Sequence, residues 1–333
     1  MSQPVTPTGR TDRAARIRCG DGDHLIEVRE REVIARRLLK TSRRHSFVPD
    51  RDVDWDADPG PGTFYMPPHL VSLYETPLWE RMTPEQRVEL SRQEVCGIAS
   101  FGITAELALM AGLVSHAAAT PYQQAHWAYA LVELEDECRH SRMFARMIGT
   151  YGLTPQPPLW WQRLGVRIAA MLGDPLRLFA AALVVEEFTD AFQRVAMADE
   201  TIHPITRQVS RIHVIEEARH IKYAREELKR QVVDRSAARR RLGGAMTARL
   251  TRALLDSTIH PDCYRAAGLD AELARRTAAR SPHRRQVERW ALAKRVRFFH
   301  EVGMVDGRAR AVWGKVGLLP DELARGGGHT ARS

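Results

Sequence analysis

One pattern occurs twice in this chain, and the repeat restricts its fold more than any other feature. Glu106 is followed 31 residues later by Glu137, inside Asp136-Glu137-Cys138-Arg139-His140. Glu186 is followed 31 residues later by Glu217, inside Glu216-Glu217-Ala218-Arg219-His220. In each copy a Glu and a His three residues apart share one helix face, about one turn from each other. The earlier carboxylate returns to the same height only if two helices run antiparallel through a short turn. Two such hairpins predict a four-helix bundle.

The surrounding sequence supplies the helices. Thr83-Pro84-Glu85-Gln86 combines a capping threonine, proline at the first helical position and Gln three residues after the cap. It opens an apolar-rich helix over about 84–118. Thr120-Pro121-Tyr122-Gln123 repeats the signal and predicts a helix over 121–149. Asp174-Pro175 and His203-Pro204 open the second pair, 175–199 and 204–232. Accessory helices are predicted from Asp23 to Arg44, from Leu159 to Leu172, through an Arg-rich stretch to Ser257, from Pro282 to Val302, and from Asp306 to Ala324. Pro49 to Pro68 is acidic, rich in Pro and Gly, and reads as loop. No run has clear strand character, so the predicted class is all-α, a ferritin-like four-helix bundle with accessory helices. Residues 1–22 read as a disordered basic tail, 23–325 as one domain, and 326–333 as a flexible tail.

Each hairpin thus offers one Glu from its first helix and a Glu-x-x-His from its second. Together they predict a two-metal site with ligands Glu106, Glu137, His140, Glu186, Glu217 and His220. Charge supports it: four carboxylates buried together repel unless neutralised, and two divalent cations cancel them. A lone Glu-x-x-His is usually a solvated face; the doubled pattern is what carries the prediction. Glu187 competes with Glu186, but a shift of one residue turns the side chain by about 100° and breaks the equal spacing. Asp136, Arg139, Glu216 and Arg219 read as ion pairs, behind the ligands or on the surface. His213 lies four residues before Glu217 on the same face, where the first copy has Glu133. It reads as a third imidazole ligand.

Composition sets limits. With 333 residues, 44% hydrophobic and 27% charged, the chain can bury a sizeable core. Its net charge is +9 and its pI about 9.8. The arginines are spread along the chain without interleaved aromatics, and read as solvated helix faces rather than a nucleic-acid surface. Docking of an acidic redox partner also fits them. The four cysteines, Cys19, Cys96, Cys138 and Cys263, form no C-x-x-C pair and follow no secretory signal, which points to free thiols in the cytoplasm. No segment reads as long and apolar enough to span a bilayer.

With these residues in place, the chain resembles the AurF-like di-iron oxygenases, the para-aminobenzoate N-oxygenase family. The resemblance rests on Glu106, Glu137, His140, Glu186, Glu217 and His220, and above all on His213 in the His-x-x-x-Glu-x-x-His run. The late segment Phe298 to Leu318 is also similar, so the resemblance covers most of the chain from about residue 30. It implies a homodimeric monooxygenase with two iron ions that binds dioxygen and oxidises an arylamine stepwise toward hydroxylamine and nitro products. It implies bridging roles for Glu137 and Glu217, a terminal role for Glu186, and nitrogen ligation by His140, His220 and His213. An external electron donor, a ferredoxin or a reductase, is expected with it, and manganese suits the same ligands.

Rival functions remain at this point. An acyl-carrier desaturase would share the bundle and dock an acidic carrier on the basic surface. The radical subunit of ribonucleotide reductase needs a tyrosine one turn after the first metal-binding His, where this chain has Phe144. Outside catalysis, a metal-stabilised structural or iron-binding bundle would use the same ligands without reacting with oxygen.

Overall fold

The computed structural model describes residues 14–18, 25–164 and 174–325. Its frame is four long helices in two hairpins. α4 (Pro84–Ala118) turns into α5 (Ala125–Thr150), and α7 (Pro175–Ala198) turns into α8 (Pro204–Val233). Glu106 lies twelve residues before the end of α4 and Glu137 twelve after the start of α5. Glu186 lies twelve before the end of α7 and Glu217 thirteen after the start of α8. At 1.5 Å per residue, each pair therefore meets at one height. The all-α class and the bundle are what the structure shows.

Around the bundle sit α1 (Arg31–Ser42), α2 (Pro49–Asp52), α3 (Pro77–Glu80) and α6, whose described part is residues 160–164. α9 (Ala237–Ser257), α10 (Pro261–Ala266), α11 (Ala271–Arg280) and α12 (Pro282–Glu301) follow. α13 (Arg308–Lys315) and α14 (Asp321–Arg325) close the described chain. α1 packs across α5 and α8, α9 and α12 lie on α7, and α10 lies on α4.

The capping box before α4 forms as read. Thr83 Oγ1 accepts from the Gln86 N–H (3.2 Å) and Gln86 Oε1 accepts from the Thr83 N–H (3.1 Å). The copy at Thr120 does not. α5 begins at Ala125, where no local side chain caps it. The Glu32 carboxylate of α1 accepts instead from the N–H groups of Ala125 (2.7 Å) and His126 (3.1 Å). An anion from another helix satisfies the orphan donors and suits the positive end of the helix dipole.

Other readings need correction. The helix predicted from Asp23 begins at Arg31, and Leu25–Arg29 is a strand, β2, paired antiparallel with β1 (Ala14–Arg18). β1 falls inside the stretch read as a disordered tail; residues 1–13, 19–24, 165–173 and 326–333 lie outside the described ones, with Cys19 among them. The loop over 49–68 is interrupted by α2, and the single late helix over 306–324 is two, α13 and α14. By length and composition α4 does reach the apolarity of a membrane-crossing helix, over an 18-residue window of which half is buried against the rest of the protein. The arginines are not all solvated. Arg240 is 1% exposed and Arg295 fully buried, and Arg252 and Arg284 converge on Glu288 (2.7 and 3.1 Å). Cys96, Cys138 and Cys263 are free thiols.

The apolar core lies in two parts. One contains Leu109, Leu113, Phe179, Leu183 and Leu228, the other Ala99, Met143, Met147, Val209 and Ile212. Glu106, Glu137, Glu186 and Glu217 belong to neither and sit at the heights between them. α9 approaches this core closely at Gly244, where a Cβ would overlap the Met304 carbonyl. Gly244→Ala is therefore expected to lose about 1–3 kcal/mol despite alanine's better helix propensity, as read by urea unfolding.

Candidate metal centre

All seven residues singled out by the repeat and by His213 converge in one buried layer. Ligand atoms of Glu137, His140, Glu217 and His220 lie within 4.8 Å of one another, as do those of Glu106, His140 and His213, and those of Glu186, His213 and Glu217. None of the seven is more than 3% exposed. Glu187 points elsewhere. It pairs with Arg225 (2.6 Å) and the buried Arg295 (2.9 Å), so it is engaged away from the cluster.

The geometry has an approximate two-fold character. His140 Nδ1 lies 3.1 Å from Glu137 and 3.2 Å from Glu217; His220 Nδ1 lies 3.0 Å from each. Glu137 and Glu217 are thus central, each within reach of both imidazoles. The outward nitrogens are held crosswise. His140 Nε2 meets Glu216 of the other hairpin (2.9 Å), and His220 Nε2 meets Asp136 of the other hairpin (3.1 Å). Arg139 donates to both acids, to Asp136 at 2.6 Å and to Glu216 at 2.7 Å. Arg219 donates to Asp136 at 3.0 Å. The acid of each motif, with Arg219 buried and Arg139 partly exposed, therefore forms a support that orients the imidazoles and leaves each Nδ1 facing the carboxylates.

His213 joins from one side. Its Nε2 faces Glu106 (3.4 Å) and Glu217 (3.6 Å), and its Nδ1 is held by Gln193 Oε1 (2.7 Å). Sequence reasoning missed Gln193, although it lies seven residues after Glu186 on the same face of α7. Its ring stands 4.9 Å from Phe144, which makes an apolar wall where a redox tyrosine would have to stand. Glu133 was noticed only as the counterpart of His213. It is 2% exposed, and its Oε2 has no hydrogen-bond partner.

The charges in this layer do not balance without added positive charge. Burial, then the neighbouring carboxylates, push Glu106 and Glu186 well above the usual carboxylate range. Burial does the same to Glu133. Burial alone would depress His140 and His220, but the carboxylates around them hold both well above the ordinary imidazole value. Glu137 and Glu217, despite burial, are held below the usual carboxylate range by the imidazoles around them, so without cations the positive charge in the layer rests on His140 and His220. Glu106 Oε2, Glu137 Oε1 and Glu217 Oε2 are buried without hydrogen-bond partners, as metal-facing oxygens would be. Hard carboxylate oxygens mixed with imidazoles suit first-row divalent ions. The residues fit a pair of them.

Two predictions follow from this geometry. Metal must displace protons from His140, His220 and the raised carboxyls, so loading is expected to acidify weakly buffered solution and the apparent affinity to weaken as pH falls. Proton release in a pH-stat and metal titrations at several pH values check this, and pH-independent binding would contradict it. Asp136→Asn removes the charge that orients His220 and is expected to lower metal affinity by about 10–100-fold, read by chelator competition, with the fold retained.

Known proteins resemble this chain along most of its length. The family described as P-aminobenzoate N-oxygenase AurF matches residues 28–303. An uncharacterized protein of Mycobacterium tuberculosis (strain CDC 1551 / Oshkosh) is 27% identical over 288 residues, covering 83% of this chain and 84% of its own. An uncharacterized protein of Mycobacterium bovis (strain ATCC BAA-935 / AF2122/97) matches to the same extent. Among solved structures, an R2-like ligand-binding oxidase mutant with a non-activated Mn/Mn cofactor superposes with a TM-score of 0.49 at 14% identity, over 83% of this chain and 93% of that one. Another mutant of that oxidase, with a Mn/Fe cofactor, gives 0.48 at 15%, over 83% and 94%. The family match covers well over half of the sequence, and this chain belongs to the AurF family.

Proposed function

We propose that the protein is a di-iron monooxygenase that activates dioxygen and oxidises the nitrogen of an arylamine. Glu106, Glu137, His140, Glu186, His213, Glu217 and His220 would hold the two ions, with Glu137 and Glu217 between them. The observation that carries the reading is this seven-donor layer with a cavity at its edge. Glu186 also lines an apolar cavity of about 320 Å³ between α4 and α7. That is within the size range of small-molecule sites. On the opposite side, Glu106, Glu186 and His213 line a space of about 60 Å³, room for roughly two water-sized molecules.

The bound iron would supply the electrons and Lewis acidity that dioxygen activation needs. The chain's own work is positioning. Asp136 and Glu216 hold the imidazoles with Nδ1 turned inward, and Gln193 does the same for His213 through its other nitrogen. Apolar walls keep bulk water from the reacting group. Glu133, pushed well above the usual carboxylate range by burial, stands at the layer's edge. Manganese can occupy the same donors. Electrons would come from an external ferredoxin or reductase, for which the net charge of +9 offers a docking field. The family resemblance supports a homodimer.

Two experiments test this reading. Protein loaded anaerobically with ferrous iron is expected to bind about two ions per chain, to consume oxygen on exposure to air with transient visible absorption, and to convert an arylamine to its hydroxylamine, read by mass spectrometry. Ferrous iron that survives air would point to a structural bundle instead. In His213→Ala, metal content should stay near that of the parent while the rate of iron oxidation changes by about tenfold or more. An unchanged rate and spectrum would remove His213 from the ligand set.

A further inference from the structure

The lining of the 320 Å³ cavity is drawn out along two helices. It follows α4 from Phe101 to His116 and α7 from Asp174 to Glu186. At 1.5 Å per residue this is ~18–22 Å. The two helices run antiparallel along it: Glu106 and Glu186 meet at the metal layer, and Gly112 sits against Leu178 toward the far end. Spread over that length, the volume holds one extended molecule rather than two rings side by side. Few polar groups line it: Thr104, Gln162 and Glu186 stand toward the inner end, His116, Asp174 and Arg177 toward the outer, and Trp161 adds an indole N–H. At the outer end Asp174 is already paired with Arg235 (2.8 Å) and Arg177 (3.4 Å). Between the ends the wall is Ala108, Leu109, Gly112, Leu178, Ala181 and Ala182, with no hydrogen-bonding side chain.

The surface beside the cavity has the same character. Leu250 belongs to the cavity wall, and also to a stripe on one face of α9 with Leu242 and Met246. These three are 38%, 59% and 40% exposed. A narrow apolar slot beside an apolar rim selects for apolar length, because each methylene removed from water adds to binding while no side chain along the middle repays a polar group for lost hydration.

We propose that the substrate is an elongated, largely apolar amine, with its oxidisable end beside Glu186 and its body extended along α4 and α7 toward His116. This rests on the reading of Glu186 as part of the metal site. A compact single-ring amine would fill only the inner part of the slot.

The test is a series of para-alkylanilines, from methyl to dodecyl, displacing an environment-sensitive fluorescent dye from the full, metal-loaded chain. Affinity is expected to rise about fourfold per added methylene until the slot is filled, then to stop rising. Ala181→Trp, which blocks the slot partway, should move the stopping point to a tail several carbons shorter and change the affinity for para-methylaniline by less than about twofold. Ala108→Phe, on the opposite wall, is the second variant should Ala181→Trp fail to fold. Affinity independent of tail length, or a stopping point that neither variant moves, would overturn the proposal. A flat series in protein whose iron still oxidises in air would sink the elongated substrate alone. A graded series in protein whose ferrous iron survives air would overturn the oxygenase reading, and this assignment with it.

Discussion

Four carboxylates share one buried layer in the middle of this bundle, and that repulsion governs the rest of the structure. Glu106, Glu137, Glu186 and Glu217 are each 3% exposed or less. In such a place ionised carboxylates are costly unless positive charge stands among them. Arg139 and Arg219 do not face this layer; they answer Asp136 and Glu216 behind it. The remaining sources are protons and metal ions. Protons are a poor solution, because they must sit on His140, His220 and two acids at once and still leave oxygens unpaired. A pair of divalent cations would meet the orphaned oxygens of Glu106, Glu137 and Glu217 and would free the imidazoles to coordinate.

The crosswise supports explain why the motif is five residues long and not four. A Glu-x-x-His alone would place two ligands on a helix face without holding the ring. The acid before the Glu reaches across to the other hairpin's imidazole, so each hairpin orients the other's ligand. The arginine neutralises the two acids, which stand close enough for Arg139 to touch both. Because these contacts bridge α5 and α8, they bind the hairpins together where the apolar core is interrupted. Polar specificity and fold register therefore come from the same few bonds.

Much of this was legible in the residues because it is written in local periodicity. Equal spacing in two copies places Glu106 opposite Glu137 and Glu186 opposite Glu217 whatever the details of the turns. It also separates Glu186 from Glu187, whose partner Arg295 lies more than a hundred residues later in α12. What could not be read depends on contacts between distant segments. Glu32 caps α5 from another helix, which moved the predicted start from 121 to Ala125. Arginines read as solvated faces turned inward where Glu187 and Glu288 wait for them. The strand at Leu25–Arg29 pairs with Ala14–Arg18, inside a stretch whose composition alone argued against order. The apolarity of α4, enough by composition for a bilayer, is what a helix needs when it lines both a core and an apolar cavity.

The two-fold character breaks at one position, and the break has consequences. His213 and Glu133 occupy equivalent places, four residues before Glu217 and Glu137. His213 is turned inward by Gln193, and burial together with the neighbouring His140 lowers it to about 4, so its imidazole is neutral and able to coordinate. Glu133 has no such partner on Oε2, and burial pushes it well above the usual carboxylate range. One end of the layer therefore offers an extra nitrogen and the other a carboxyl group. Two cations held here cannot be equivalent. An ion beside His213 and Glu106 would meet the more nitrogen-rich set, which would alter its preference among metals relative to its neighbour. Glu186 reaches both this nitrogen-rich side and the cavity along α4 and α7. A layer with the same residue at both places would offer two ions the same surroundings; His213 against Glu133 makes those surroundings differ.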